Sequence, residues 1–213
     1  TVTSFYPQAH IVFNGGVSGE GTNLMLGREA LTATSTRKAI TDLLNHAPDV
    51  VLYRGASINE LVNVNSGNWQ SIADAVYTQH ITLLHRMLAG VGYVVDSGVF
   101  GYGAGSAATG PNPGLVRRAA MYLNQKLRAN LHGLFGGRVV FVDPVGALCD
   151  STGLCFPALT YDGVHLNPAG GIVHGGLEAQ ALTSLFGPCA GPRYPGVNLV
   201  PNSLLHSTSV TGA

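Results

Sequence analysis

A doubly wound α/β fold with a parallel sheet in three layers is what this sequence predicts, on three observations. Short unbroken apolar segments rich in Val and Ile recur about every 40 residues. One helical stretch lies between each pair of them, and Gly, Asn and Pro punctuate the junctions. Segments that are apolar throughout, rather than alternating, suit strands covered on both faces. In order, the strands are His10–Asn14, Asp49–Arg54, Tyr93–Asp96 and Arg138–Val142, and the helices are Asn23–His46, Trp69–Ala89, Gly114–Leu134 and Pro168–Phe186. Within the second helix Ile72, Val76, Ile81, Leu84 and Leu88 fall at helical spacing and supply a core face. Strand, helix, strand in series gives right-handed crossovers, and ligands then bind beyond the carboxyl ends of the strands. Chemistry is therefore expected in the loops after Asn14, Arg54, Asp96 and Asp143.

Composition narrows the function. The 213 residues are 46% hydrophobic, ample for one core, while 11 basic and 11 acidic residues leave no net charge. A nucleic-acid footprint or an anionic membrane partner is not expected from that balance. Charged residues are only 10% of the chain, and Gly, Ala, Ser, Thr and Asn take their place. Such a surface suits an assembly or a neutral sugar. No run reaches the roughly 18 apolar residues of a membrane span. Thr1–Tyr6 reads as the end of a helix, and Val197–Ala213 as the start of a further module, dividing the chain into a domain at 1–187 and a linker with that module at 188–213. Cys149 and Cys155, six apart, either form a small disulfide or remain thiols, as does Cys189.

Three segments carry candidate chemistry. Asn14–Thr22 joins a strand to a helix and comes close to a phosphate loop, but no lysine precedes Thr22, and no cofactor is expected there. A glycine turn in that place can instead present a backbone N–H to a developing oxyanion. Gly55–Glu60 follows the next strand, and Asn59 has an amide able to donate to the same oxyanion. The third segment is Tyr161–Gly170. Asn167-Pro168 marks a helix start, which puts Asp162 and His165 in the loop before it. A carboxylate three residues from a histidine in a loop orients the ring and stabilises its protonated form. The eight histidines do not recur at ligand spacing, so no metal site is expected.

Together these segments resemble the conserved blocks of the SGNH/GDSL hydrolases. Asn14-x-Gly16-Val17-Ser18-Gly19 is similar to the second block, which implies an oxyanion-hole N–H at Gly19. Gly55–Glu60 resembles the third block and assigns Asn59 to the hole, although the usual Gly-x-Asn-Asp is altered to an approach ending Asn59-Glu60. Asp162-Gly163-Val164-His165 is close to the fifth block, which implies the Asp and His of a catalytic triad. The Gly-Asp-Ser block is absent from the chain. Ser4 has no strand before it, so the first strand and the nucleophilic serine are expected upstream of Thr1, leaving these residues inactive alone.

The resemblance implies a five-stranded flavodoxin-like sheet lacking its first strand, and an esterase that removes acyl groups such as acetate from a carbohydrate. The competing expectation is a non-catalytic structural or sugar-binding domain of a surface or viral assembly. Asn198-Leu199-Val200-Pro201-Asn202 with its Thr/Ser/Gly run resembles the opening of carbohydrate-binding modules in phage tail proteins. An extracellular or virion-surface location follows from that likeness. The expected partners are an acylated carbohydrate or other ester, a chain segment filling the first-strand slot, and further copies in a homo-oligomer.

Overall fold

The computed structural model describes residues 11, 14, 20–29, 39–54, 58–100 and 111–188. Three parallel strands, β1 (Val50–Tyr53), β2 (Tyr93–Ser97) and β3 (Val139–Val142), lie in the order β1-β2-β3. Val51 faces Val94 and Val95 faces Val140 in the register. The helices are α1 (Thr22–Arg28), α2 (Ala39–Asn45), α3 (Trp69–Leu88), α4 (Pro113–Phe135), α5 (Val145–Leu148) and α6 (Pro168–Phe186). Strand side chains alternate between the two faces of the sheet. Val51, Tyr53, Val94 and Val139 turn to the α3–α4 side, where Leu83, Leu84, Leu123 and Leu127 are fully enclosed. Val95 and Val142 turn to the other side, against Ala179 and Leu182 of α6. The α/β/α layering read from the sequence is present, and α3, α4 and α6 lie within a residue or so of their expected bounds.

The first helical stretch differs. In place of one helix over Asn23–His46 there are two, α1 ending at Arg28 and α2 starting at Ala39. Glu29 supplies the local reason, because its carboxylate accepts from the Ile40 N–H at 2.7 Å and from the Thr41 hydroxyl at 2.8 Å. That carboxylate satisfies orphan donors at the start of α2, so a new helix begins where a continuous one was expected. The expected strand His10–Asn14 falls on residues mostly outside those described, and so do residues 189–213 with Cys189 and the proposed second module. No helix among the described residues is long and apolar enough to cross a membrane.

Two details position the carboxyl edge of the sheet. Beyond β2, a Cβ on Gly98 would lie 2.7 Å from Asn124 Oδ1 and 2.8 Å from Phe141, so only glycine fits. The closeness lets Asn124 of α4 pair with the backbone of Val99, accepting from its N–H at 2.8 Å and donating to its carbonyl at 2.6 Å. Between β2 and α3, His80 and Asp96 form an enclosed pair at 2.8 Å, with no exposure on either side chain. The Tyr53 ring packs 4.8 Å from His80, and burial beside the Asp96 carboxylate raises the Tyr53 phenol well above its ordinary value. Tyr53 is thus neutral at any working pH.

Candidate active site

The loop before α6 is built by its backbone. Thr160 and Leu166 pair as an antiparallel bridge, and the Tyr161 N–H donates to the His165 carbonyl at 2.8 Å. Gly163 turns the loop at a φ of 86°, a region open mainly to glycine. Asn167 caps α6 by accepting from the Gly170 N–H at 3.0 Å, and its amide donates to the Ala158 carbonyl at 2.8 Å. Pro168 follows at the first helical position, where no N–H is needed. A Cβ on Gly170 would fall onto the Leu159 carbonyl oxygen, so α6 docks directly against the 3-10 turn Pro157–Leu159 that leads into the loop.

Asp162 and His165 meet on this platform. Asp162 Oδ1 accepts from the backbone N–H of Val164 at 2.9 Å and of His165 at 2.8 Å. Its Oδ2 accepts from His165 Nδ1 at 2.7 Å. The two backbone donors and the ring, the His165 N–H first among them, hold the Asp162 carboxyl well below the usual carboxylate range. Asp162 is therefore a permanent anion that fixes the ring with Nδ1 as donor and leaves Nε2 with its lone pair. The His165 side chain is 76% exposed, so that nitrogen opens to solvent rather than to the core.

Of the other two sequence candidates, only Asn59 falls among the described residues. Asn59 sits in a 3-10 turn, Ile58–Glu60, just past β1. The next residue, Glu60, reaches the start of α1: its carboxylate accepts from the backbone N–H of Thr22 at 2.8 Å and of Asn23 at 3.1 Å, and from the Thr22 hydroxyl. A Cβ on Gly21 would lie 2.5 Å from Glu60 Cγ, so glycine is needed for this approach. The turn carrying Asn59 is thereby tied to the turn that leads into α1. Gly19 lies outside the described residues, as do Ser4 and Ser18. Glu60, the departure from the usual third-block pattern, caps α1 by accepting from N–H groups that have no intrahelical acceptor. Among the described residues no hydroxyl hydrogen-bonds the other His165 nitrogen, and no group of His, Cys, Asp and Glu could hold a metal.

No family model matches the chain, and no curated protein matches it in sequence. Solved structures do. A protein assigned as an acylhydrolase from Bacteroides fragilis superposes with a TM-score of 0.58 at 20% identity, over 80% of this chain and 73% of that one. A GDSL-like lipase from Bacteroides thetaiotaomicron gives 0.52 at 17% identity, over 80% and 74%. This chain has the SGNH hydrolase fold. A catalytic mutant of an acetylxylan esterase from Geobacillus stearothermophilus aligns over 86% of this chain and 75% of its own, with a TM-score of 0.49 at 18% identity.

Within this SGNH fold, a polar cluster at the carboxyl ends of β1 and β2 went unread in the sequence. Glu178 of α6, whose side chain is 1% exposed, takes two hydrogen bonds from Arg54, from Nε at 2.8 Å and Nη2 at 2.7 Å. Ser97 Oγ lies 3.4 Å from the same carboxylate, and His174 Nδ1 lies 3.6 Å away. Burial, with the Arg54 charge second and Glu178 opposing both, pushes His174 down from 6.5 to about 4. The available signal was Glu178 itself, the single acidic residue in α6 and one turn from the single histidine of that helix. The cluster joins the end of β1, which leads to Asn59, to the helix whose preceding loop carries His165.

Proposed function

We propose that this protein is a serine-type ester hydrolase that removes short acyl groups, acetyl first among them, from a carbohydrate. The observation that supports this most is the Asp162–His165 hydrogen bond in the loop opening α6, on an SGNH hydrolase fold. With Nδ1 donating to Asp162, His165 Nε2 takes the proton of a serine hydroxyl as that oxygen attacks the ester carbonyl. The Gly19 N–H and the Asn59 amide donate to the resulting oxyanion. The intermediate collapses, the His165 imidazolium passes its proton to the leaving sugar hydroxyl, and an acyl-enzyme remains. Water then enters with His165 as base and releases the acid. The serine belongs, on this proposal, to a Gly-Asp-Ser turn outside the 213 residues, which alone hydrolyse no ester. A carbohydrate leaving group is supported by the low charge and by Tyr161, 73% exposed beside Asp162, an aromatic face on which a sugar ring can stack.

The test is hydrolysis of a chromogenic acetate ester and of an acetylated oligosaccharide by the protein carrying its native upstream sequence. His165→Ala should abolish turnover with the fold intact, and Asn59→Ala should lower kcat by roughly 10²–10³. Full activity in His165→Ala, or no activity in the extended protein, refutes the reading. The competing reading, a structural or sugar-binding domain of a surface or virion assembly, draws support from the low share of charged residues, 10% of the chain. It predicts glycan binding without hydrolysis.

A further inference from the structure

The Cys149–Cys155 pair, left open by the sequence, lies under the Asp162–His165 loop in a geometry made for a covalent link. The two residues face each other as an antiparallel bridge. The ladder bonds are made by their neighbours, Phe156 N–H to the Leu148 carbonyl and Asp150 N–H to the Leu154 carbonyl, both at 2.9 Å. Cys149 and Cys155 are thus a non-hydrogen-bonded pair, the kind whose side chains come closest across two strands. That spacing falls in the Cα and Cβ range a disulfide requires. The Sγ atoms sit 3.3 Å apart as thiols, so closure to a bond of about 2.05 Å needs rotation about Cα–Cβ rather than backbone movement. The turn between them is already fixed. Asp150 Oδ1 accepts from the N–H groups of Thr152 at 2.8 Å and Leu154 at 3.0 Å, and Gly153 supplies the positive φ of 76°.

We propose that Cys149 and Cys155 form an intramolecular disulfide that staples the platform of the His165 loop. Both thiols are buried in one cluster with Leu148, and Leu159, Leu166 and Val173 pack against it. Leu159 and Leu166 flank the loop, and Val173 belongs to α6. The link forms by exchange with a small-molecule disulfide such as oxidised glutathione. One cysteine thiolate attacks it and releases glutathione; the second attacks the mixed disulfide and releases another. Two protein thiols and one glutathione disulfide become one protein disulfide and two glutathiones. With exposures of 4% and 1%, the pair reacts while the hairpin is open during folding, and the closed bond is then shielded from reductants.

The test does not depend on ester hydrolysis. The full chain is refolded in a glutathione redox buffer, quenched in acid, denatured, alkylated and digested. The expected result is a 149–155 link two hydrogens lighter than the dithiol, with Cys189 alone alkylated. Closing so short a loop should raise Tm by roughly 5–9 °C over protein refolded with excess reductant. Amide exchange at Tyr161 and Asn167, whose N–H groups bond across the loop base, should slow together with it. A Cys149→Ser/Cys155→Ser variant should show no such dependence on redox state. Alkylation of all three cysteines, a link through Cys189, or a bond that leaves Tm unmoved overturns the proposal.

Discussion

Replacing Arg54 by methionine removes the cation paired with a carboxylate that water barely reaches. The two partners are unequal: the Glu178 side chain is 1% exposed and that of Arg54 57%. Breaking a buried pair from the cationic side leaves the carboxylate uncompensated, at about 3–5 kcal/mol. Arg54 is more than half in water, so its departure admits some solvent, and the expected cost falls to about 2–3 kcal/mol. Glu178→Met should cost only about 1 kcal/mol, because Arg54 then simply returns to solvent. The double variant Arg54→Met/Glu178→Met leaves no buried charge and should lie within about 1 kcal/mol of the parent, with Ser97 losing a weak acceptor. Urea unfolding followed by far-UV circular dichroism measures all four proteins. The decisive quantity is the coupling, about 2–3 kcal/mol less destabilisation in the double variant than the single costs sum to. Strict additivity, or an Arg54→Met cost under about 1 kcal/mol, would show that the pair does not neutralise a buried charge.

Three further outcomes are expected. The unfolded chain takes up a proton at His174 below its ordinary 6.5 while the folded chain stays neutral to about 4, so stability falls as pH drops through that window. His174→Gln should flatten the pH 7-to-4 stability profile by about 3 kcal/mol, and parallel profiles would refute the assignment. Gly170→Ala should destabilise by about 2–3 kcal/mol, since its methyl meets the Leu159 carbonyl, whereas Gly171→Ala, with open space at its Cβ, should be neutral or better; equal thermal melts would contradict the close docking of α6. Tyr161→Ala should raise KM about three- to tenfold on an acetylated oligosaccharide and leave a small chromogenic ester untouched, and equal effects on both substrates would remove Tyr161 from sugar contact.

The sequence was most legible where periodicity and punctuation agreed. Asn167-Pro168 announced the start of α6 by a side-chain cap and a missing N–H, both purely local causes. The helices read from Trp69 and from Gly114 likewise had apolar spacing that left no competing strand reading, and the second starts one residue earlier, at Pro113. The pairing of Asp162 with His165 was legible because three loop residues suffice to close it. What escaped depends on tertiary approach. Glu29 ends one helix by capping another, which no periodic count registers. The contact between Arg54 and Glu178 spans 124 positions, and the glutamate reads from sequence as one polar residue in an apolar helix. Glu60 looked like a spoiled motif position until its carboxylate was seen on α1.

The loop bearing His165 is closed at its own base, by the Thr160–Leu166 bridge, the Asn167 cap and the seat of Gly170 on Leu159. Among the described residues, the hydrogen bonds that hold the imidazole and its loop base fall between residues 158 and 170. In evolutionary terms this is a cassette. Lineages can remodel the surrounding loops without disturbing the Asp162–His165 hydrogen bond. Even after the rest of a sequence has drifted past recognition, a short self-contained stretch of this kind can persist. For protein engineering, the same closure makes Tyr161, which is exposed, a position where diversity can be introduced while the Asp162–His165 hydrogen bond stays where it is.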